Sequence, residues 1–171
     1  MSLLKVDQIT PVGGLGSGAV GGIIQVVSTT KTDVFTSTST DTSITGLSVT
    51  ITPQSSSSKI LILMSITGTN KNSSQRFAWG LKRGSTQIAQ GDAADSRARA
   101  SCGGQDSGGG NCDSCVVVHL DSPSTTSATT YQATSMAIDG GENAVNRTNS
   151  DSNSSSYARF ASFITAFEIG G

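Results

Sequence analysis

The residues best suited to chemistry in this 171-residue chain are three cysteines and one histidine that fall close together: Cys102, Cys112, Cys115 and His119. Their C-x9-C-x2-C-x3-H spacing places four zinc-ligand types in one stretch, and Cys112/Cys115 has the interval of a zinc knuckle. Two other states compete with metal. The glycine-rich segment between Cys102 and Cys112 can bend enough to let those two thiols form a disulfide outside a reducing cytoplasm. Free thiols, or thiols buried in a strand, are the third.

His119 is the sole histidine, so a Ser-His-Asp or Cys-His mechanism would have to use it. It sits between Val118 and Leu120 in an apolar run, where a packed or interface side chain is expected. Asp92, Asp95, Asp106, Asp113, Asp139 and Glu142 are candidate calcium ligands in two polar stretches, although no D-x-D-x-D-G spacing is present. Asn72, Asn146 and Asn153 open N-x-S/T triplets and read as polar loop chemistry. The run Gly13–Gly18 precedes a strand rather than a helix and lacks a following Lys-Ser/Thr, so it makes no phosphate loop. A carbohydrate-active enzyme would need paired carboxylates around a groove, and the acids are scattered. No catalytic residue, metal or cofactor is expected.

The elements that carry these residues follow from composition. Charged residues are only 13% and hydrophobic ones 35%, while Gly numbers 20 and Ser and Thr make up about three residues in ten. Such a chain is poor helix material. Thr suits a half-exposed strand, and Gly and Ser suit turns, so an all-β fold is expected. The net charge of −1, with eleven scattered Lys and Arg, excludes a phosphate-binding surface and hence nucleic acid. The longest apolar run, Ile60–Met64, is too short to cross a bilayer, and no secretory leader follows the N-terminus. A soluble protein made in a cytoplasm, with no membrane partner, is the expectation.

From Ile23 onward the pattern is strand after strand. Leu47, Val49 and Ile51 alternate with Ser48, Thr50 and Thr52, the period of a strand with one wet face. Lys59–Ile66 is apolar on both faces and predicts a central strand covered on both sides. Phe77, Trp79 and Leu81 alternate before an Arg83–Thr86 hairpin turn. Val116–Leu120 and Tyr131–Ile138 flank a turn at Asp121–Pro123, and Ala161, Phe163, Thr165, Phe167 and Ile169 share one face of the last strand. About eight or nine strands with no helix indicate a single antiparallel jelly-roll or β-sandwich over residues 23–171. Residues 92–114 and 139–156 are long polar stretches, either functional or without fixed order. Residues 1–22 form a short extended N-terminal arm and a glycine hinge. Leu3, Leu4, Val6 and Ile9 in that arm would gain by burial against a partner.

The opening Leu4–Ile9 resembles the amphipathic start of tail-fibre and virion structural proteins of cyanophages and other aquatic phages. So do Ile23–Val27, Thr45–Pro53, Leu81–Thr86, Leu120–Pro123 and Asn146–Asn149. The spacing of strands and the aromatic last strand also resemble the C1q/TNF-like jelly-roll, whose members are usually homotrimers. The resemblance implies a homotrimeric structural component on the outer surface of a phage virion, with Phe160, Phe163 and Phe167 at the trimer interface. It would decorate or cement the capsid, holding the major capsid protein or a tail component by protein contacts through its arm. The alternative is a short tail fibre or receptor-binding tip that touches a host glycan or protein.

Overall fold

In a computed structural model of the protein, residues 22–72, 74–108 and 110–170 are described. The first strand, β1 (Ile23–Lys31), is followed by β2 (Phe35–Ser37), β3 (Thr42–Ile51), β4 (Lys59–Asn70), β5 (Arg76–Arg83) and β6 (Thr86–Ile88). Then come β7 (Cys102–Gln105), β8 (Asp113–Asp121), β9 (Thr129–Met136), β10 (Asn143–Val145) and β11 (Ser162–Ile169). Every ladder is antiparallel. The arm residues Leu3, Leu4, Val6 and Ile9 lie outside the described residues.

Several of the strands are halves of one longer strand. β10 and β11 pair with successive parts of β4, β2 and β1 continue them outward, and β8 flanks β4 on its other side. The first sheet therefore runs β1/β2, β10/β11, β4, β8. The second runs β3, β9, β5, with β6 and β7 sharing the far side of β5. Read as eight strands in chain order, these are sheets of the first, eighth, third and sixth strands, and of the second, seventh, fourth and fifth. That is the strand order of a jelly-roll. The all-β fold expected from composition is the fold present. β11 also returns the chain to its starting point: Ile23 pairs with Ile169, and the Gly170 amide donates to the Gly22 carbonyl at 2.8 Å.

The two sheets close on a core that includes Ile62, Met64, Leu81, Tyr131, Ile164 and Trp79, all fully buried. Phe77 and Trp79 pack with ring centroids 5.6 Å apart. Trp79 lies so near β4 that a Cβ on Gly68 would meet its ring at 2.7 Å and the Ala144 carbonyl at 2.5 Å, which is why glycine stands there. β3 solves a phase problem. Ile44 and Leu47 are both buried although three residues apart, because an irregularity between Ser43 and Ser48, with Gly46 at φ +79°, inserts extra chain.

One ionised group is built into this scaffold. Glu168 on β11 is fully buried and accepts from Gln25 Nε2 at 2.5 Å and from the Gln54 amide at 2.7 Å. Burial alone would raise its pKa, yet hydrogen bonds from Gln25 and the backbone of Gln54 and Ser55 hold it below the usual carboxylate value. A lowered folded-state pKa contributes stability that is present above the unfolded value of about 4.3 and is lost as pH falls through the folded one. Glu168→Gln should therefore melt below the parent at pH 7, and the gap should narrow below about pH 4. Thermal melts across pH 3–8 on both proteins check this, and a constant gap would refute it.

Candidate functional site

Among the described residues, β4 and β8 place an uncovered apolar face on the outside of the first sheet. In β8, Cys115, Val117, His119 and Asp121 lie opposite Ile66, Met64, Ile62 and Ile60, so they face the core. The alternate residues must then face outward, and they are apolar: Val116, Val118 and Leu120 are 60%, 64% and 55% exposed. Register extends this face across three more strands. One row reads Leu120, Leu61, Phe167, Val26; the next reads Val118, Leu63, Thr165, Ser28; the third reads Val116, Ser65, Phe163, Thr30.

These three rows contain no charged side chain. Two of the hydroxyls among them are turned on each other, Ser28 Oγ and Thr165 Oγ1 at 2.8 Å. Lys59 borders the face at one end, its Nζ donating to Ser122 Oγ at 2.7 Å. An uncharged, largely apolar sheet face gives no electrostatic choice of ligand; what it can do is exclude water against another apolar surface.

The sequence-derived residues fall unevenly around it. Phe163 and Phe167 stand on the face. Phe160 does not: it precedes β11, half-buried, with its amide bound to the Asn146 carbonyl at 3.2 Å. β4 is apolar on both sides, as expected, but only Ile60, Ile62, Met64 and Ile66 enter the core, because a two-layer sandwich covers one side of each sheet. Its other apolar side, Leu61 and Leu63, belongs to the exposed face. On the last strand Ile164, Ala166 and Glu168 face the core, while Phe163, Thr165, Phe167 and Ile169 share the outer face.

The cysteines depart from the expected pairing. Cys102 is bonded to Cys115, not to Cys112, with the two Cα atoms 6.3 Å apart. Cys102 pairs across β5 with Trp79, and Cys115 across β4 with Ile66, so both thiols point between the sheets where their margins meet. Cys112 precedes β8, remains free, and has its thiol pKa pushed up by burial and by Asp113. The zinc quartet is thereby dissolved, and among the described residues no group of three or more His, Cys, Asp or Glu is placed to hold a metal. A disulfide spanning 13 residues is worth about 3 kcal/mol. A reductant should lower the melting temperature of the parent and of Cys112→Ser alike, and leave Cys115→Ser unmoved. A reductant response confined to chains retaining Cys112 would favour the other pairing.

The remaining candidates are dispersed. Asp92 and Asp113 are exposed, Asp139 pairs with Arg76 at 3.1 Å, and Asp95 faces Arg97 at 3.6 Å. Glu142 pairs with Lys71 at 2.5 Å, which lowers its pKa. Asn146 is fully buried, donating to the carbonyls of Lys31 and Asp33, so it is a corner post of the fold. Asn72 and Asn153 are exposed. No described helix is long and apolar enough to cross a membrane.

Sequence reasoning misses the outer face as a unit, although part of the signal is present: Leu61 and Leu63 lie on the side of β4 away from the core, Val116, Val118 and Leu120 on that of β8, and among the described residues no third layer covers them. Comparison with known proteins is sparse. No family pattern matches the chain, and no curated protein does. Among solved structures, one of infectious bursal disease virus, Gx strain, matches 95% of this chain at 17% identity with a TM-score of 0.37. This chain covers 43% of that one, less than half of its length, and a likeness so distant adds nothing to the strand order described above.

Proposed function

We propose that this protein is a homotrimeric structural component of a virus particle, decorating or cementing the capsid by protein–protein contacts. The carrying observation is the uncharged apolar face formed by β8, β4, β11 and β1. Its occupant is a second and third copy of the same chain. A face without charge selects no oppositely charged partner, and around a three-fold axis one part of it would meet a different part of the next copy's face. The strand-and-turn segments that resemble phage virion proteins supply the setting. The jelly-roll supplies a rigid block with contact surfaces rather than a cleft with converging catalytic groups.

Sedimentation of the full chain at micromolar concentration should give a species of three times the 17.3 kDa chain mass. A monomer at that concentration would sink the trimer. Gold-labelled antibody on intact particles should then mark the capsid surface. Label at the tail would favour the receptor-binding tip, and its absence from particles would end the virion reading.

A further inference from the structure

One carboxylate among the dispersed acids is unlike the rest. Asp106 follows β7 and is only 2% exposed. Its amide donates to the Gln75 carbonyl at 3.0 Å and its carbonyl accepts from the Ser74 amide at 2.9 Å, so Gln75 and Asp106 extend the β5–β7 ladder as cross-strand neighbours. Asp106 Oδ2 accepts from Asn149 Nδ2 at 2.9 Å. Asp106 Oδ1 is buried without a donor among the described residues, and so is Gln75 Oε1. Buried acceptors are nearly always paired, and an unpaired carboxylate oxygen is the costlier kind to leave alone. Two such oxygens on neighbouring residues call for something positive from outside the chain.

Gly141 packs directly on Gln75. It has φ +68°, and a Cβ there would collide with Gln75 Oε1 and lie 2.6 Å from Asn70 Oδ1 and 2.9 Å from Asn72 Nδ2. The missing side chain is what lets Gln75 Oε1 come against the Gly141 backbone, beside the fully buried Asn70. The cations that could otherwise serve are engaged: Lys71 with Glu142 and Arg76 with Asp139.

We propose that Asp106 and Gln75 hold a calcium ion at this end of the sandwich, Asp106 Oδ1 as the charged ligand and Gln75 Oε1 as a neutral one. Both free donors are oxygens, which a hard cation prefers. Calcium tolerates irregular geometry completed by water, whereas magnesium demands a near-ideal octahedron. With one carboxylate the affinity belongs in the weak extracellular range, a dissociation constant of about 10⁻⁴–10⁻³ M. The ion would tie the turn before β5 to the end of β7.

Thermal melts of the full chain in EDTA and in about 10 mM calcium chloride test this. Saturation at that affinity should raise the melting temperature by about 5 °C. Isothermal titration with calcium chloride should find one site per chain. Asp106→Asn should remain folded in EDTA and lose the calcium response, and Glu142→Gln, whose carboxylate is already paired, should keep it. Equal melting of the parent in EDTA and calcium overturns the proposal and assigns the pair to a reoriented Gln75 amide donating to Asp106. An undiminished response in Asp106→Asn overturns it equally, placing the ion elsewhere.

Discussion

Val118→Lys is expected to turn the trimer into monomers. Val118 is the most exposed of the three outward apolar residues of β8 and contributes nothing to the core, so the substitution leaves the folded chain intact. In the assembled state each copy would bury an ammonium group among aliphatic side chains. The three rows contain no carboxylate to meet it. Desolvating an unpaired charge costs several kcal/mol per ion, and every 1.4 kcal/mol is a tenfold change in an equilibrium constant. A loss of trimer affinity of about a thousandfold or more follows. Thr45→Lys, exposed on β3 of the other sheet, should leave the trimer unchanged. Sedimentation of both variants reads the result. Two trimers would mean that the face is not the interface, and two monomers would point to net charge rather than position.

A second large effect is expected at the opposite side of the same strand. Asp121 ends β8 with its carboxylate inside, accepting from Tyr131 Oη at 2.7 Å and from Arg83 Nη1 at 2.9 Å to each oxygen. Tyr131 is fully buried; burial first, and then Asp121, push its phenol pKa far up, so the hydroxyl stays a donor at every working pH. Asp121→Ala strips that buried donor of its acceptor and Arg83 of its counter-charge. The expected loss is about 3 kcal/mol, or about 10 °C in melting temperature for a chain of this size. Tyr131→Phe should cost less, about 1 kcal/mol, because Arg83 still neutralises Asp121. The double variant should be more stable than the sum of the single losses predicts, since the orphaned hydroxyl is gone. Strict additivity in chemical denaturation would show that the three groups do not act together.

Much of this architecture is legible in the residues, and the failures have physical causes. Leu47, Val49 and Ile51 advertise a half-buried strand because one face of β3 meets the core and the other meets water. The Arg83–Thr86 turn is legible because Gly84, at φ +57°, sits where a tight hairpin needs it. β7 is hidden because Cys-Gly-Gly-Gln carries no strand signal. Its glycines are there for closeness, since a Cβ on Gly103 would meet the Phe77 carbonyl at 2.5 Å. β10, three residues long within a polar stretch, is held by its neighbours β2 and β4 rather than by its own pattern. The cysteine pairing fails for the same reason. Spacing along the chain favoured Cys112, whereas the true partner is set by which residues of two strands face inward. The apolar face is legible only in part: Phe163 and Phe167 read as surplus surface, whereas Leu61 and Leu63, on the second apolar side of β4, read as core.

The hydrogen bond between Gly170 and Gly22 has a consequence for how the domain can be mounted. Both ends of the described chain leave from a single pole, beside the 52–58 and 122–128 turns. The 71–75, 106–112 and 139–142 segments lie at the far pole. The block is thus a cassette with one socket. Because the ends are in contact, residues 22–170 could be spliced into a surface loop of a foreign protein without stretching either chain. Whatever it is mounted on, the polar segments at the other pole would stand furthest from the support.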